Sequence, residues 1–417
     1  MSDYDIIVVG AGPAGSMAAM SAAAAGRRVC LLERKAQAGA PARCGEGIGY
    51  KGLTLTLEPR PEWIKREVTR ARMVSPSGIS VEIGNVDKSW ILDRERMDSD
   101  LVKMAIDKGA EYFPSTPIIS AEKTSNGYYT CVSNSQVICN NNYNDLSNSQ
   151  VMRNDNANSL SNSQLREKKF TAQCLILADG VESRLARCFG WDTALRPKDI
   201  ETCAFARVTS KDIDPDSCVF YTGSKAAPGG YLWLFPRGEH EANVGLGVIG
   251  TKSKAGLPKK LLLDFINNHF KDAEVTNLHC GGVPVGKWTK PLVKEGVMLV
   301  GDAARQVNAI NGAGIAYSLY AGKTAGETAA KSFRPDGTIN HSILLEYQKK
   351  WAKNFGKQQL RSFALKEFIQ SANDDFLDKI AAALSKEDPR KINYLRVFTK
   401  TFASKPLLLL KAFKLFR

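Results

Sequence analysis

The chain has 417 residues, 43% of them hydrophobic, with a formal net charge of +14. That apolar content suffices for one large core or two interleaved ones, and no run reaches the roughly 18 to 20 uninterrupted apolar residues that span a bilayer. The basic balance points to nucleic acid, an anionic membrane or an acidic partner, but no dense basic block carries interleaved aromatics, which argues against nucleic acid.

The N-terminus starts directly on a predicted strand, MSDYDIIVVG, with no basic region ahead of an apolar core, so no signal peptide is expected. Residues 5–33 read strand, Gly-rich turn, helix, strand. Asp5 to Val9 is a short, nearly all-apolar run, as expected of a parallel strand covered on both faces. Residues 16–25 are almost all Ala, Ser and Met, a helix able to pack close to a sheet. Val29 to Leu32 is the second strand, and Glu33 ends it. Gly10-Ala11-Gly12-Pro13-Ala14-Gly15 is a G-x-G-x-x-G sequence placed between strand and helix. Gly10 allows the tight turn, Gly12 lets backbone approach a pyrophosphate, and Gly15 lets the helix sit against the strand. The helix N-terminus, with Ala14 in its first turn, offers free N–H groups to phosphates. Glu33, 18 residues after Gly15, can accept hydrogen bonds from ribose hydroxyls and repel a 2′-phosphate. A Gly-rich turn without a ligand is the bland alternative. The motif alone does not separate NAD from FAD.

Residues 93–112 have helical spacing, with Met97, Leu101, Met104 and Ala105 on one stripe and a stop at Gly109. Short strands follow to about Val132. Residues 133–164 then change character: ten of 32 are Asn and seven Ser, and SNSQ recurs at 133, 147 and 161. Such a segment buries too little apolar surface to offset its ordering entropy. A disordered insertion in a hairpin, with strands near 127–132 and 168–177, is expected; three weak copies are too few for a repeat solenoid. Residues 173–184 return to a buried strand and a turn. From about 200 to 290 the pattern is alternating strands with one helix near 257–270. Residues 297–301 form another buried strand, 312–331 a helix rich in small residues, and the remainder is mostly helical.

The nine cysteines (Cys30, Cys44, Cys131, Cys139, Cys174, Cys188, Cys203, Cys218 and Cys280) form no CxxC pair, so neither a zinc site nor an iron–sulfur cluster is expected. Reduced thiols in a cytosolic protein are expected instead.

Two later segments resemble the flavoprotein superfamily that includes p-hydroxybenzoate hydroxylase and the geranylgeranyl reductases. Ala178-Asp179-Gly180, with Ser183 and Arg184, is similar to the family's DG motif, and Gly301-Asp302-Ala303-Ala304 to its GD motif. The resemblance implies FAD as cofactor and gives Asp302 the ribityl chain. Asn311-Gly312-Ala313-Gly314-Ile315 opens the next helix, and its N–H groups suit the pyrimidine end of the flavin, where negative charge collects on reduction. Asp93-Arg94 resembles the helix start whose arginine reaches the FAD pyrophosphate; Arg96 competes for that role, and an exposed helix-face arginine is the alternative for both. Residues 41–49, PARCGEGIG, and 229–236, GGYLWLFP, resemble geranylgeranyl reductase motifs. Arg43, Cys44, Gly45, Gly47 and Ala121 are carried over as FAD contacts on the same resemblance. Such sequences usually hold a proline where this chain has Val307-Asn308-Ala309-Ile310, a change of loop stiffness that removes no chemical group.

The fold expected is α/β: a Rossmann-like FAD-binding domain from 1–130, 165–190 and 290–335, interleaved with a β-rich substrate domain over 191–290, to which 50–92 is a candidate addition, and a C-terminal helical region over 336–417. The resemblance implies saturation of geranylgeranyl double bonds in archaeal-type ether phospholipids. An isoprenoid alkene has no carbonyl to polarise, so its reduction needs a hydride, a proton and a dry apolar channel. Tyr231, Trp233 and Phe235 alternate, so on a strand they share one side, either as the channel wall or as core. Cys44 is the candidate catalytic residue, as proton donor or flavin-positioning group, with plain burial the alternative. Glu46 and His240 are weaker proton sources. Reduced ferredoxin or NAD(P)H is the expected electron donor; an acidic ferredoxin suits the +14 charge. Residues 405–417, KPLLLLKAFKLFR, read as a basic amphipathic helix for an anionic membrane surface or as a helix docked on the protein. A cytoplasmic protein peripheral to the inner face of the cell membrane is therefore expected. The competing readings are a flavin monooxygenase or halogenase of the same fold, and a flavin electron carrier without alkene chemistry.

Overall fold

A computed structural model describes residues 2–83, 88–134 and 167–389. The chain opens on β1 (Tyr4–Val9), passes through α1 (Pro13–Ala24) and returns as β2 (Val29–Leu32). β1 and β2 pair in parallel, Ile6 opposite Val29 through Val9 opposite Leu32. Both strands are buried over most of their length, which is why they read as unbroken apolar runs. Next come β3 (Gly47–Gly49), α2 (Tyr50–Thr54), β4 (Ile64–Val68), β5 (Arg70–Val74), β6 (Ser80–Ile83) and β7 (Ser89–Leu92). α3 (Arg94–Asp107) follows, its first turn capped by Asp93, whose carboxylate accepts from the Arg96 N–H.

β8 (Glu111–Phe113), β9 (Ile118–Lys123), β10 (Tyr129–Asn134) and β11 (Glu167–Leu177) come next. β10 and β11 are antiparallel neighbours, Tyr129 opposite Ala172 and Asn134 opposite Glu167. The expected hairpin is there; the Asn/Ser-rich insertion between its strands lies almost wholly outside the described residues. The middle of the chain supplies β12 (Ile200–Thr209), β13 (Ser217–Thr222), β14 (Tyr231–Pro236), β15 (Glu241–Ile249), α4 (Leu257–His269) and β16 (Glu274–Pro284). β17 (Val293–Lys294), β18 (Val297–Leu299), α5 (Ile315–Lys331), α6 (His341–Trp351), α7 (Lys357–Gln370) and α8 (Asp374–Leu384) complete the described chain. The 405–417 tail lies outside it.

Among the described residues these strands form three sheets. The first runs β17-β18-β11-β1-β2-β8, with β10 and β9 continuing from β11. The second runs β16-β12-β15-β14-β13-β5-β6, so β5 and β6 join the strands of the 200–284 region. The third is β3-β7-β4.

Helices α1 and α5 stack at backbone distance. A Cβ placed at Gly322 would lie 2.1 Å from the Ala14 carbonyl oxygen, and one at Gly326 would lie 2.2 Å from that of Ala18. Ala18, Ala22, Ala321 and Ala325 fill the seam without any exposed surface. The small-residue composition of both helices thus brings the start of α1 beside the turn after β18.

Candidate active site

The Gly-rich turn lies between the end of β1 and the start of α1. Gly10 has φ +99°, and a Cβ there would meet the Ala178 carbonyl oxygen at 2.3 Å. At Gly15 a Cβ would meet the Gly10 carbonyl oxygen at 1.8 Å. Gly12, by contrast, has nothing within 4 Å of a Cβ, so its backbone faces open space. Gly10 and Gly15 therefore shape the turn, while Gly12 and Ala14 line a cavity of about 640 Å³. Glu33 is buried, and its two carboxylate oxygens accept from the backbone N–H groups of Ala11 at 2.8 Å and Lys35 at 2.9 Å. It holds the turn as well as standing at the end of β2.

Asp302 lines the same cavity from the turn after β18. Burial pushes its carboxyl up to about 6, against the pull of the Arg94 cation. A buried polar bracket fixes this turn. Gln306 accepts from the Gly301 N–H at 2.8 Å and donates to the Tyr347 hydroxyl at 2.9 Å, and Tyr347 donates to the Leu299 carbonyl at 2.9 Å. The Val307–Ile310 stretch, lacking the expected proline, is held by hydrogen bonds instead. The Asn308 side chain accepts from the Ile310 N–H at 2.9 Å, and Gln359 of α7 donates to the Val307 carbonyl at 2.9 Å.

Arg94 also lines the cavity, with its guanidinium bonded to Asp98 through Nε at 3.0 Å and Nη2 at 2.8 Å. Arg96 turns to Asp100 at 3.0 Å, which also accepts from the Trp63 indole. Of the two arginines, Arg94 is the one at the cavity. Asp179 sits beside it rather than in its wall. One of its oxygens accepts from the Leu185 N–H at 3.3 Å, and burial pushes the carboxyl up to about 6. Ala121 is buried on β9 opposite Cys131, away from the cavity wall.

The far wall comes from two segments. Arg43, Cys44 and Gly45 line the cavity from the loop before β3, Gly47 from the first residue of that strand, and Gly314 and Ile315 from the start of α5. Tyr231, Trp233 and Phe235 all face it from β14, while Leu232 and Leu234 point into the core below. The Tyr231 hydroxyl donates to the Asn311 carbonyl at 2.6 Å. The cysteine loop packs directly on this strand: a Cβ at Gly45 would lie 3.3 Å from Trp233 Nε1 and 3.4 Å from Phe235.

Cys44 keeps part of its surface, and burial pushes its thiol above the ordinary value. Its sulfur accepts from the Glu46 N–H at 3.2 Å. Glu46 has φ 68° and is 2% exposed, with its carboxylate bonded to Arg237 and, at 3.1 Å, to the Asn243 amide. Asn243 also donates to the Cys44 carbonyl at 2.9 Å and accepts from Trp233 Nε1 at 2.9 Å. The loop and the aromatic strand are thereby tied through one side chain. His240 lies exposed on the turn between β14 and β15, outside the cavity wall.

Whether these residues fit FAD is answered by the cavity's two ends. The Gly12 backbone and the start of α1 face open space at one end, and the Asp302 carboxyl, to which no protein donor bonds among the described residues, faces the same space. Backbone N–H groups for phosphate, a carboxyl for a polyol and a flat aromatic wall in one cavity suit a nucleotide carrying a ring system. Sequence reasoning missed Gln306, Tyr347, Gln359, Asn243 and Arg237, which lie outside the sequence motifs although Gln306 bonds to the GD turn and Asn243 and Arg237 to the cysteine loop. It also missed Glu201, which lines the cavity. An acidic residue opening the apolar strand ETCAFARV is the signal that could have found it.

A family model described as geranylgeranyl reductase catalytic domain matches residues 199–283, and one described as FAD dependent oxidoreductase matches residues 5–48. A digeranylgeranylglycerophospholipid reductase of Methanothrix thermoacetophila is 38% identical over 396 residues, 93% of each chain. Digeranylgeranylglycerophospholipid reductase 1 of Methanococcoides burtonii is 34% identical, covering 97% of this chain and 93% of its own. The crystal structure of a geranylgeranyl bacteriochlorophyll reductase-like protein from Thermoplasma acidophilum superposes with a TM-score of 0.83 at 29% identity, covering 99% of both chains.

Proposed function

This chain belongs to the geranylgeranyl reductase family of FAD-dependent oxidoreductases, and we propose from that premise that it saturates the double bonds of geranylgeranyl chains in archaeal-type ether phospholipids. The observation that carries the proposal is the cavity itself. The aromatic face of Tyr231, Trp233 and Phe235 and the dinucleotide-type turn at Gly12 border one space.

Bound in that space, FAD in its reduced form supplies the hydride. The chain's own residues do the rest. The N–H groups at Gly12 and the start of α1 hold the pyrophosphate, with Arg94 near it. Glu33 stands at the ribose and Asp302 takes the ribityl hydroxyls, with Asp179 bracing the neighbouring turn. Gly314 and Ile315 present N–H groups to the pyrimidine end. Tyr231, Trp233 and Phe235 exclude water and hold the isoprenoid chain against the ring. Cys44, placed by Asn243 and Glu46, packs at the flavin with its thiol protonated at neutral pH.

Reduced ferredoxin or NAD(P)H supplies the electrons in this reading, and the +14 charge favours an acidic protein donor. No helix among the described residues is long and apolar enough to cross a membrane. The 405–417 tail, with Lys411, Lys414 and Arg417 among leucines and phenylalanines, supports docking on the inner face of an anionic membrane.

The test is mass spectrometry of a digeranylgeranyl lipid after anaerobic incubation with the dithionite-reduced protein. The expected result is a gain of two hydrogens per double bond. An unchanged lipid would favour an electron carrier, and turnover that needs oxygen would favour a monooxygenase or halogenase.

A further inference from the structure

Glu201 is an ionisable group in the cavity wall that the reading above leaves unused. It stands near the start of β12, is 5% exposed, and lines the same space as Cys44 and Trp233. Strand alternation puts Glu201 and Cys203 on the cavity side, while Ala204, Ala206 and Val208 fill the core beneath. Two glycines clear room for the carboxyl. A Cβ at Gly247 would lie 2.6 Å from Glu201 Oε2, and one at Gly230 would lie 3.5 Å from Oε1. Among the described residues no protein donor bonds to it.

Its neighbours carry little charge. β15 and β16 set Ile249 and Val283 opposite it. From β14 comes the Tyr231 hydroxyl, already engaged with Asn311, and from its own strand the Cys203 thiol. Lys366 of α7 is the cation it feels, itself donating to the Lys198 and Val285 carbonyls at 2.9 and 3.0 Å. Burial pushes the Glu201 carboxyl up to about 7, so near neutrality much of it keeps its proton. The Cys44 thiol, pushed by desolvation above the usual thiol value, is the weaker acid of the two.

Resting on the reductase reading, we propose that Glu201 is a catalytic acid of the alkene reduction, giving its carboxyl proton to the carbon that does not receive the hydride. The hydride and its electron pair, from reduced FAD, form one C–H bond. The alkene π pair takes the Glu201 proton to form the other. The O–H bond breaks to leave a carboxylate near Lys366, the FAD returns to its oxidised form, and the carboxylate regains a proton from water. Cys44 is thereby left with the flavin-positioning role.

Glu201→Gln keeps the shape and removes the acid. The FAD-loaded variant is expected to keep wild-type flavin absorbance while alkene reduction falls by about 10²–10⁴-fold, the usual contribution of a general acid. The wild-type rate should fall as pH rises through about 7, and that limb should be missing in the variant. Infrared difference spectra of the protein should show a carboxylic C=O band titrating in the same range, lost in Glu201→Gln. Turnover of Glu201→Gln within a few-fold of wild type, or loss of the pH limb in Cys44→Ala instead, would overturn the proposal. Should the variant not fold, the absence of the infrared band from the wild-type protein near neutrality would overturn it equally. A wild-type protein that reduces no alkene would sink the reductase reading, a result separable from these.

Discussion

Two side chains carry most of what can be tested by single substitutions. Asp302 is a buried carboxyl raised to about 6, and among the described residues no protein donor bonds to it. Its folded value lies above the ordinary one near 3.9. Its contribution to the stability of the FAD-free protein is therefore present below the ordinary value and lost as pH rises through about 6. Ribityl hydroxyls donate to the ionised form, so FAD should bind more tightly as pH rises through the same range. Flavin fluorescence titration reads this, and an affinity that weakens with rising pH would contradict it. Asp302→Ala should weaken FAD binding by about 10–150-fold, the equivalent of about 1.5–3 kcal/mol for hydrogen bonds to a charged group. Cys44→Ala should retain FAD and slow turnover while keeping the pH limb; an unchanged rate would make the thiol purely structural. Asp302 was legible in the sequence because the GD turn is local. The Asn243 bridge between the Cys44 carbonyl and the Trp233 indole was not, because its partners lie 199 and 10 residues away and nothing in the local sequence announces such a contact.

At the scale of elements, glycine and alanine decide where the site sits. α1 and α5 touch backbone to backbone through Gly322 and Gly326. Gly322→Ala drives a methyl to 2.1 Å from the Ala14 carbonyl, in the turn of α1 that faces the cavity. Overpacking of this kind costs about 1–3 kcal/mol, and here it should also weaken FAD binding. Thermal denaturation with and without FAD measures both effects; a loss of stability alone would mean that the α1–α5 seam does not position the cofactor turn. Gly245 plays the matching part for the aromatic wall, since a Cβ there would lie 2.4 Å from Trp233 and 2.5 Å from Phe205. Strand and helix identities in this chain follow from local composition and pattern. The parallel strands read as apolar runs, β14 as alternation, and α1 as a small-residue helix. The π-helical turn at Ala352–Gly356 between α6 and α7 carries no comparable sequence signal. The polar bracket of Gln306, Tyr347 and Gln359 was hidden for the same reason as Asn243: it forms only when α6 and α7 pack behind the Asp302 turn.

For the molecule as a whole, the sequence predicts a nucleotide-binding layer interrupted by a β-rich middle; β1, β2, β8, β9, β10, β11, β17 and β18 share one sheet, and β12 to β16 share another. What it left open was the place of 50–92. β5 and β6 extend the sheet of the middle region, while β3, β4 and β7 form a sheet of their own. Edge pairing of this kind depends on which strands meet in space, and short polar–apolar strands such as Arg70–Val74 specify it weakly. Basic charge and the 405–417 tail belong to the same scale. Deleting 405–417 should weaken binding to anionic liposomes, by about 1 kcal/mol for each of its four basic residues at the surface, and the wild-type binding should fall with added salt. Binding unaltered by the deletion would mean that the tail packs elsewhere. Transfer of hydride from the flavin to an isoprenoid alkene is measured by mixing the chemically reduced holoprotein with a digeranylgeranyl lipid in the strict absence of oxygen and following the flavin absorbance. Oxidised flavin is expected to return in step with the number of double bonds saturated. Flavin that stays reduced until oxygen is admitted would contradict it.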